Sequence, residues 1–260
     1  ARIWGPPEGM PVLAVHGWLD NAASFDTLAP LLPNLRVAAV DLPGHGRSSH
    51  RPPGVHYHFV DFIPDVVAAA DALGWDRFAL LGRSQGAAIA IRYAALHPQR
   101  VSRLVIIGGQ VRGSLRRGAQ SSSLESVMAF CKVLEDGWGE ANSALRQVWT
   151  SWAFPGATTA QQDDYNRMQR ASCSPKGAAT LNLMECQHDA SADLAGIRCP
   201  TLVLHNPDDA LVPFDEGRLA ASMIPGARLE TFSSRNHQPL PGEPAFEQVL
   251  DLLEAFLAED

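Results

Sequence analysis

Five short apolar runs recur along the chain: Val12-Leu13-Ala14-Val15, Val37-Ala38-Ala39-Val40, Phe78-Ala79-Leu80-Leu81, Leu104-Val105-Ile106-Ile107 and Leu202-Val203-Leu204. Each is continuous rather than alternating, the pattern of parallel strands buried on both faces. Helical patterns separate them near 24–31, 58–73, 86–97 and 214–223, and a last helix spans about Glu243 to Leu257. This alternation predicts an α/β fold with a mostly parallel, doubly wound sheet. Arg228 to Phe232 alternates instead, which suits an edge strand with one face near water.

One interval breaks the rhythm. From Gln110 to about Ile197 no strand pattern appears, and helical stretches run near 122–136, 140–152, 159–171 and 176–187. The expected organisation is a core of residues 1–109 and 198–260 with a helical cap, 110–197, inserted between two core strands. Trp138, Trp149, Trp152 and Phe154 are scattered through the cap. Each either packs the cap on itself or faces down into a pocket. Trp149, Trp152 and Phe154 are candidate substrate-binding residues, together with Leu211 from a later loop.

The third apolar run leads directly into Gly82-Arg83-Ser84-Gln85-Gly86, and a helix pattern rich in small residues follows. Strand, Gly-x-Ser-x-Gly, helix is the context in which this motif carries chemistry. The turn is tight enough to force the serine into a strained backbone conformation, and the glycines let the two arms approach. The Ser84 hydroxyl is then exposed at a helix N-terminus, beside backbone N–H groups that can hold a developing negative charge.

A serine hydroxyl is a poor nucleophile without a base to take its proton and an acid to orient that base. His237 is the candidate base, in the loop Ser233-Ser234-Arg235-Asn236-His237-Gln238-Pro239 between the last strand and the last helix. His45, His50, His56 and His58 crowd one polar stretch before Ser84 and lack metal-ligand spacing. His97 precedes a proline at a helix end, His188 lies in the cap, and His205 at a strand end reads as structural. The candidate acid lies in Asn206-Pro207-Asp208-Asp209-Ala210-Leu211-Val212-Pro213, where two aspartates compete. The oxyanion donors are expected to be the backbone N–H of Gln85 and that of Trp18, in the His16-Gly17-Trp18 loop after an early strand.

Composition bounds the partners. The formal net charge of −7 argues against a nucleic-acid or anionic-membrane surface. No apolar run approaches the length of a membrane span, and no signal peptide is visible. Ala1-Arg2-Ile3 opens the chain, which leaves room for a segment upstream. Cys131, Cys173, Cys186 and Cys199 form no Cys-x-x-Cys pair and read as reduced thiols of a cytoplasmic protein. No metal site and no cofactor motif is visible. Arg112, Arg116 and Arg117 read as a solvated basic loop.

These residues together resemble the α/β-hydrolase-fold serine hydrolases over essentially the whole chain. The likeness rests on His16-Gly17-Trp18, Asp41-Leu42-Pro43-Gly44-His45-Gly46-Arg47-Ser48, the serine elbow, the aspartate loop and the late histidine. The family's aspartate loop reads Gly-x-x-Asp-x-x-x-Pro. Laid on this sequence, Pro213 registers Asp209 as the acid and puts Asn206 where the glycine stands. The chain is also similar to a bacterial esterase- and lactonase-like subgroup often fused to transcription regulators or nucleotide cyclases. The resemblance implies a cofactor-independent serine hydrolase of small-molecule esters or lactones. Dehalogenase and epoxide hydrolase chemistry is disfavoured, because relatives doing those carry aspartate at position 84. Carbon–carbon bond hydrolysis and perhydrolysis use the same triad, and a triad-retaining small-molecule sensor signalling through its cap is a rival of another class. Arg83 departs from the family's usual residue before the nucleophile, and as an inward-facing cation it needs an anionic partner.

Overall fold

The computed structural model describes residues 1–52 and 55–259. Seven strands form one sheet: β1 (Arg2–Trp4), β2 (Met10–Val15), β3 (Leu35–Ala39), β4 (Phe78–Arg83), β5 (Val101–Ile107), β6 (Thr201–His205) and β7 (Arg228–Thr231). Their spatial order is β1-β3-β2-β4-β5-β6-β7. All neighbours run parallel except β1, which pairs antiparallel with β3.

The apolar runs are continuous because the sheet is covered on both sides. Along β2, Leu13 and Val15 join one core while Val12 and Ala14 join the other. The first core includes residues of α1 (Phe62–Ala72), α2 (Gln85–Leu96) and α7 (Phe214–Met223). The second packs against α8 (Pro244–Ala258) and the turns between Ala22 and Leu32. Four helices lie in the chain between β5 and β6: α3 (Leu124–Gly137), α4 (Ala144–Ala153), α5 (Thr159–Ser172) and α6 (Pro175–Gln187). Each begins at a Ser or Thr whose side chain accepts a first-turn N–H, namely Ser123, Ser143, Thr158 and Ser174. Val127, Cys131, Leu134, Ala178, Ala179 and Leu181 bury the insertion's apolar faces in the first core.

Three expectations need correction. The stretch 24–31 is two 3₁₀ turns, Ala22–Phe25 and Ala29–Leu31, rather than one helix. Asn21 caps the first turn, and Pro30 leaves no N–H to continue a longer helix. Strand β1 has no counterpart among the apolar runs. The basic loop is only partly solvated: Arg116 is exposed, whereas Arg112 pairs with Glu216 at 2.7 Å, and that carboxylate is 1% exposed. Arg117 donates to Gln110 Oε1, and Arg116 to the Gln187 carbonyl.

The elbow depends on glycine for space. A Cβ on Gly86 would lie 2.3 Å from the Val15 carbonyl oxygen and 2.6 Å from that of His16. Gly86→Ala must therefore push α2 away from β2. The expected cost is about 1–3 kcal/mol, read as a lower urea midpoint; an unchanged midpoint would contradict the tight approach. No helix among the described residues is long and apolar enough to cross a membrane.

Candidate active site

Ser84, Asp209 and His237 follow the C-terminal ends of the parallel strands β4, β6 and β7, where ligands sit in open α/β sheets. Ser84 follows β4 directly and has φ +51° and ψ −123°. A residue with a Cβ rarely adopts positive φ, and holding it there costs of order 1–3 kcal/mol. The strain presents the hydroxyl at the start of α2 rather than turning it into the helix.

Asp209 lies in the loop after β6, and His237 in the loop after β7. The two side chains meet, with His237 Nδ1 2.6 Å from Asp209 Oδ2. Asp209 Oδ1 accepts from the Leu211 and Val212 amides at 2.8 and 3.1 Å. Burial acts to raise the Asp209 carboxyl. The charge and hydrogen bond of His237, then the two amides, act the other way and hold it below the ordinary aspartate range. His237 Nε2 is buried without a protein partner and lines the same cavity as Ser84. Asp208 shares none of these contacts; its backbone N–H donates to Asn206 Oδ1.

Asn206 occupies the family's glycine position and serves as a tie. Its Nδ2 donates to the Ser234 and Asn236 carbonyls, joining the aspartate loop to the histidine loop. The histidine loop is held in turn by the helical insertion. His237 N–H donates to the Ala153 carbonyl, and Gly156 N–H to Asn236 Oδ1, both at 2.8 Å.

The lowered Asp209 carboxyl gives a pH signature in stability. A carboxyl depressed in the fold contributes stability that is fully present above its unfolded value, about 3.9, and is lost as pH falls through the folded value. The urea-midpoint gap between wild type and Asp209→Asn is expected to close below about pH 4. A gap constant from neutral pH into acid would contradict the depressed carboxyl.

Facing the elbow is the His16-Gly17-Trp18 loop. A Cβ on Gly17 would stand 3.0 Å from the Ser84 Cβ, so the two turns touch. His16 is fully buried, accepts from Leu42 N–H at Nε2, and meets the Gly17 carbonyl at 2.8 Å through Nδ1. Those partners require the neutral ring with its proton on Nδ1, and burial lowers the His16 pKa to match. The imidazole thereby fixes the peptide leading to Trp18. Among the described residues neither the Trp18 nor the Gln85 backbone N–H has a hydrogen-bond partner. Two unspent amides beside the Ser84 hydroxyl offer donors to an anionic oxygen placed there. Asp41 to Ser48 serves the architecture: Asp41 accepts from the Ala22 and Arg47 amides, and Ser48 donates to the Asp41 carbonyl.

Ser84 and His237 open into a cavity of about 910 Å³. Trp149, Trp152, Phe154 and Leu211 all line it. Trp18 and Trp149 meet edge to face at 4.9 Å, and Trp152 continues the wall at 5.6 Å from Trp149. Trp152 is 52% exposed and stands toward the mouth, whereas Trp138 is fully buried behind Trp18. His188 and His205 are packing residues. His188 stacks on Phe59 and is lowered to about 4 by burial, and His205 meets the Val212 carbonyl. Among the described residues no cluster of three or more His, Cys, Asp or Glu is arranged to hold a metal ion.

Several polar wall residues were not read from the sequence: Asp20, Gln110, Tyr165, Glu185 and Gln238. Asp20 carried a signal, lying three residues past Gly17 in a loop already assigned to the site. Glu185 is bonded by Gln110 Nε2 at 2.6 Å, and burial raises its carboxyl against that bond and the pull of Arg117 and His237.

Comparison with known proteins agrees with this architecture. Residues 10–175 match the family model described as the alpha/beta hydrolase fold. A serine hydrolase-like protein of Danio rerio is 48% identical over 107 residues, which are 41% of this chain and 33% of that protein. The matched part thus spans about a third of that relative's length. A 2-hydroxy-6-oxo-2,4-heptadienoate hydrolase of Pseudomonas putida is 28% identical over 88% of this chain and 83% of its own. Among solved structures, an esterase from Exiguobacterium antarcticum superimposes with a TM-score of 0.85 over 97% of this chain and 93% of its own, at 22% identity. The strand order, the serine turn after β4 and the family match converge: this chain belongs to the alpha/beta hydrolase fold family.

Proposed function

We propose that the chain cleaves carboxylic esters or lactones through an acyl-enzyme, with Ser84 as nucleophile, His237 as base and Asp209 as the acid that orients it. The observation that carries this reading is the Asp209–His237 pair at 2.6 Å, whose free Nε2 lines one cavity with Ser84. Ser84 Oγ attacks the carbonyl carbon while His237 Nε2 takes its proton. The carbonyl oxygen becomes an oxyanion held by the Trp18 and Gln85 amides. As the tetrahedral intermediate collapses, Nε2–H gives its proton to the leaving alkoxide. Water then attacks the acyl-enzyme with Nε2 again as base, releasing the acid and restoring Ser84. Asp209 stabilises the imidazolium in both halves. Residues 110–197 act as a cap over the core of 1–109 and 198–260, and the wall of Trp149, Trp152, Phe154 and Leu211 holds the apolar part of the substrate.

The relative named for a 2-hydroxy-6-oxo-dienoate favours a second reading. Such a compound has a ketone and no ester, so hydrolysing it breaks a carbon–carbon bond. A panel of p-nitrophenyl and alkyl esters, lactones and vinylogous diketones, run on wild type, separates the two. Turnover of esters or lactones is the expected result. Turnover confined to diketones would favour the second reading, and ligand-dependent partner binding without any turnover would make the chain a sensor.

A further inference from the structure

Arg83 and Asp20 line the cavity beside Ser84, and the chemistry above uses neither. Arg83 is held rigidly. Its Nη1 donates to the Ser24 carbonyl at 2.8 Å, its Nε to Gln238 Oε1 at 3.3 Å, and its guanidinium lies 5.5 Å over the Phe25 ring. Gln238 is itself anchored by donating to the Ile107 carbonyl. Among the described residues Nη2 has no protein partner and no carboxylate stands within 4.0 Å of the guanidinium, although the Asp20 charge acts on it from farther off. Asp20 is 9% exposed, and its Oδ1 is buried with no partner.

A half-buried, oriented guanidinium with an unused donor, next to a buried carboxyl with an unused oxygen, is a receptor for a planar oxygen-bearing anion. We propose that Arg83 and Asp20 form a carboxylate subsite beside the reacting carbonyl, so that the preferred substrate is an ester or lactone that also carries a free carboxylate. The proposal rests on the hydrolase reading of the same site. In the bound state Arg83 Nη2 donates to one carboxylate oxygen, and a protonated Asp20 donates through Oδ1–H to the other. The proton on Asp20 removes the repulsion between two carboxylates.

The surroundings suit a carboxyl that holds its proton. Burial pushes Asp20 above the ordinary carboxylate range; Arg83 on β4, His16 after β2 and His237 before α8 pull the other way. Tyr165 on α5 faces Asp20, and burial, the Asp20 charge and a hydrogen bond to that carboxyl, which leaves Oδ1 free, keep its phenol protonated well beyond the usual range. Glu185 on α6 faces His237 rather than Asp20.

The test compares monomethyl glutarate with methyl pentanoate, which replaces the carboxylate by a methyl group at nearly the same size. Wild type is expected to favour the half-ester in kcat/KM, and Arg83→Met to lower the half-ester to neutral-ester ratio by about tenfold or more. An unchanged ratio overturns the subsite. Calorimetric binding of monomethyl glutarate to Ser84→Ala, with and without Arg83→Met, reads the same contact without turnover. Weakening of about tenfold is expected, and equal affinities overturn it. Should Arg83→Met fail to fold, Arg83→Lys keeps the charge but loses the fork, and it should still lower the ratio. Half-ester affinity is further expected to weaken as pH rises and Asp20 loses its proton, and Asp20→Asn, whose amide N–H donates at any pH, to flatten that dependence. A dependence that survives in Asp20→Asn removes Asp20 from the subsite. Absence of all ester turnover in wild type would instead sink the hydrolase reading, while binding to Ser84→Ala still decides the subsite.

Discussion

Ser84→Ala is expected to abolish ester turnover, with a loss of about 10⁶-fold in kcat, the scale seen when the nucleophile of a serine triad is removed. The reason is the covalent step. Without Oγ there is no acyl-enzyme, and the His237–Asp209 pair has no proton to take. The fold should survive, because alanine keeps the Cβ that already sits at φ +51°. Ser84→Gly distinguishes the backbone from the chemistry. It removes the same hydroxyl but relieves the positive φ, so it should be equally inactive and more stable than Ser84→Ala by about 1 kcal/mol or more. Kinetics of both variants beside their urea midpoints check this. Substantial turnover in either would reject Ser84 as nucleophile, and a Ser84→Gly no more stable than Ser84→Ala would reject strain at the elbow.

Asp209→Asn is expected to lower kcat by about 10⁴-fold, as loss of the orienting carboxylate does in a serine triad. Asparagine is nearly isosteric, and Oδ1 can still accept from Leu211 and Val212. That bonding turns the amide NH₂ toward His237 Nδ1, where the carboxylate oxygen now lies at 2.6 Å. A donor there forces Nδ1 to accept, which puts the ring proton on Nε2 and removes the base. The variant should therefore fail in kcat while substrate affinity stays close to wild type. Asp208→Asn changes none of these contacts and should retain activity within a few-fold. A larger loss at Asp208 than at Asp209 would transfer the role to the neighbour.

Much of this was legible along the chain, for physical reasons that differ from element to element. The central strands were readable because burial on both faces gives each a continuous apolar run. The insertion was readable as helical because no continuous apolar run interrupts it, while the caps that set its helix starts, Ser123, Ser143, Thr158 and Ser174, came only with the structure. The elbow was readable because Gly82 and Gly86 fill positions where a Cβ has no room. Strand β1 was not, since a three-residue antiparallel edge is too short to show a period. The turns at Ala22–Leu31 were misread because apolar spacing alone does not separate a 3₁₀ turn from an α-helix. The asparagine at position 206 stands where the family has glycine, and its amide ties the two loops that bring Asp209 and His237 together, a role the sequence did not show. The polar wall was the least legible part. Asp20, Arg83, Tyr165 and Glu185 come from a loop, a strand end and two helices, and only the folded chain lines one cavity with them.

The most direct measurement of the central claim is covalent. Wild type treated with a fluorophosphonate and digested should carry one adduct, on the peptide containing Ser84. The adduct should form slowly in His237→Ala and be absent in Ser84→Ala. An adduct on another residue, or undiminished labelling of Ser84→Ala, would contradict the assignment of Ser84 as the nucleophile.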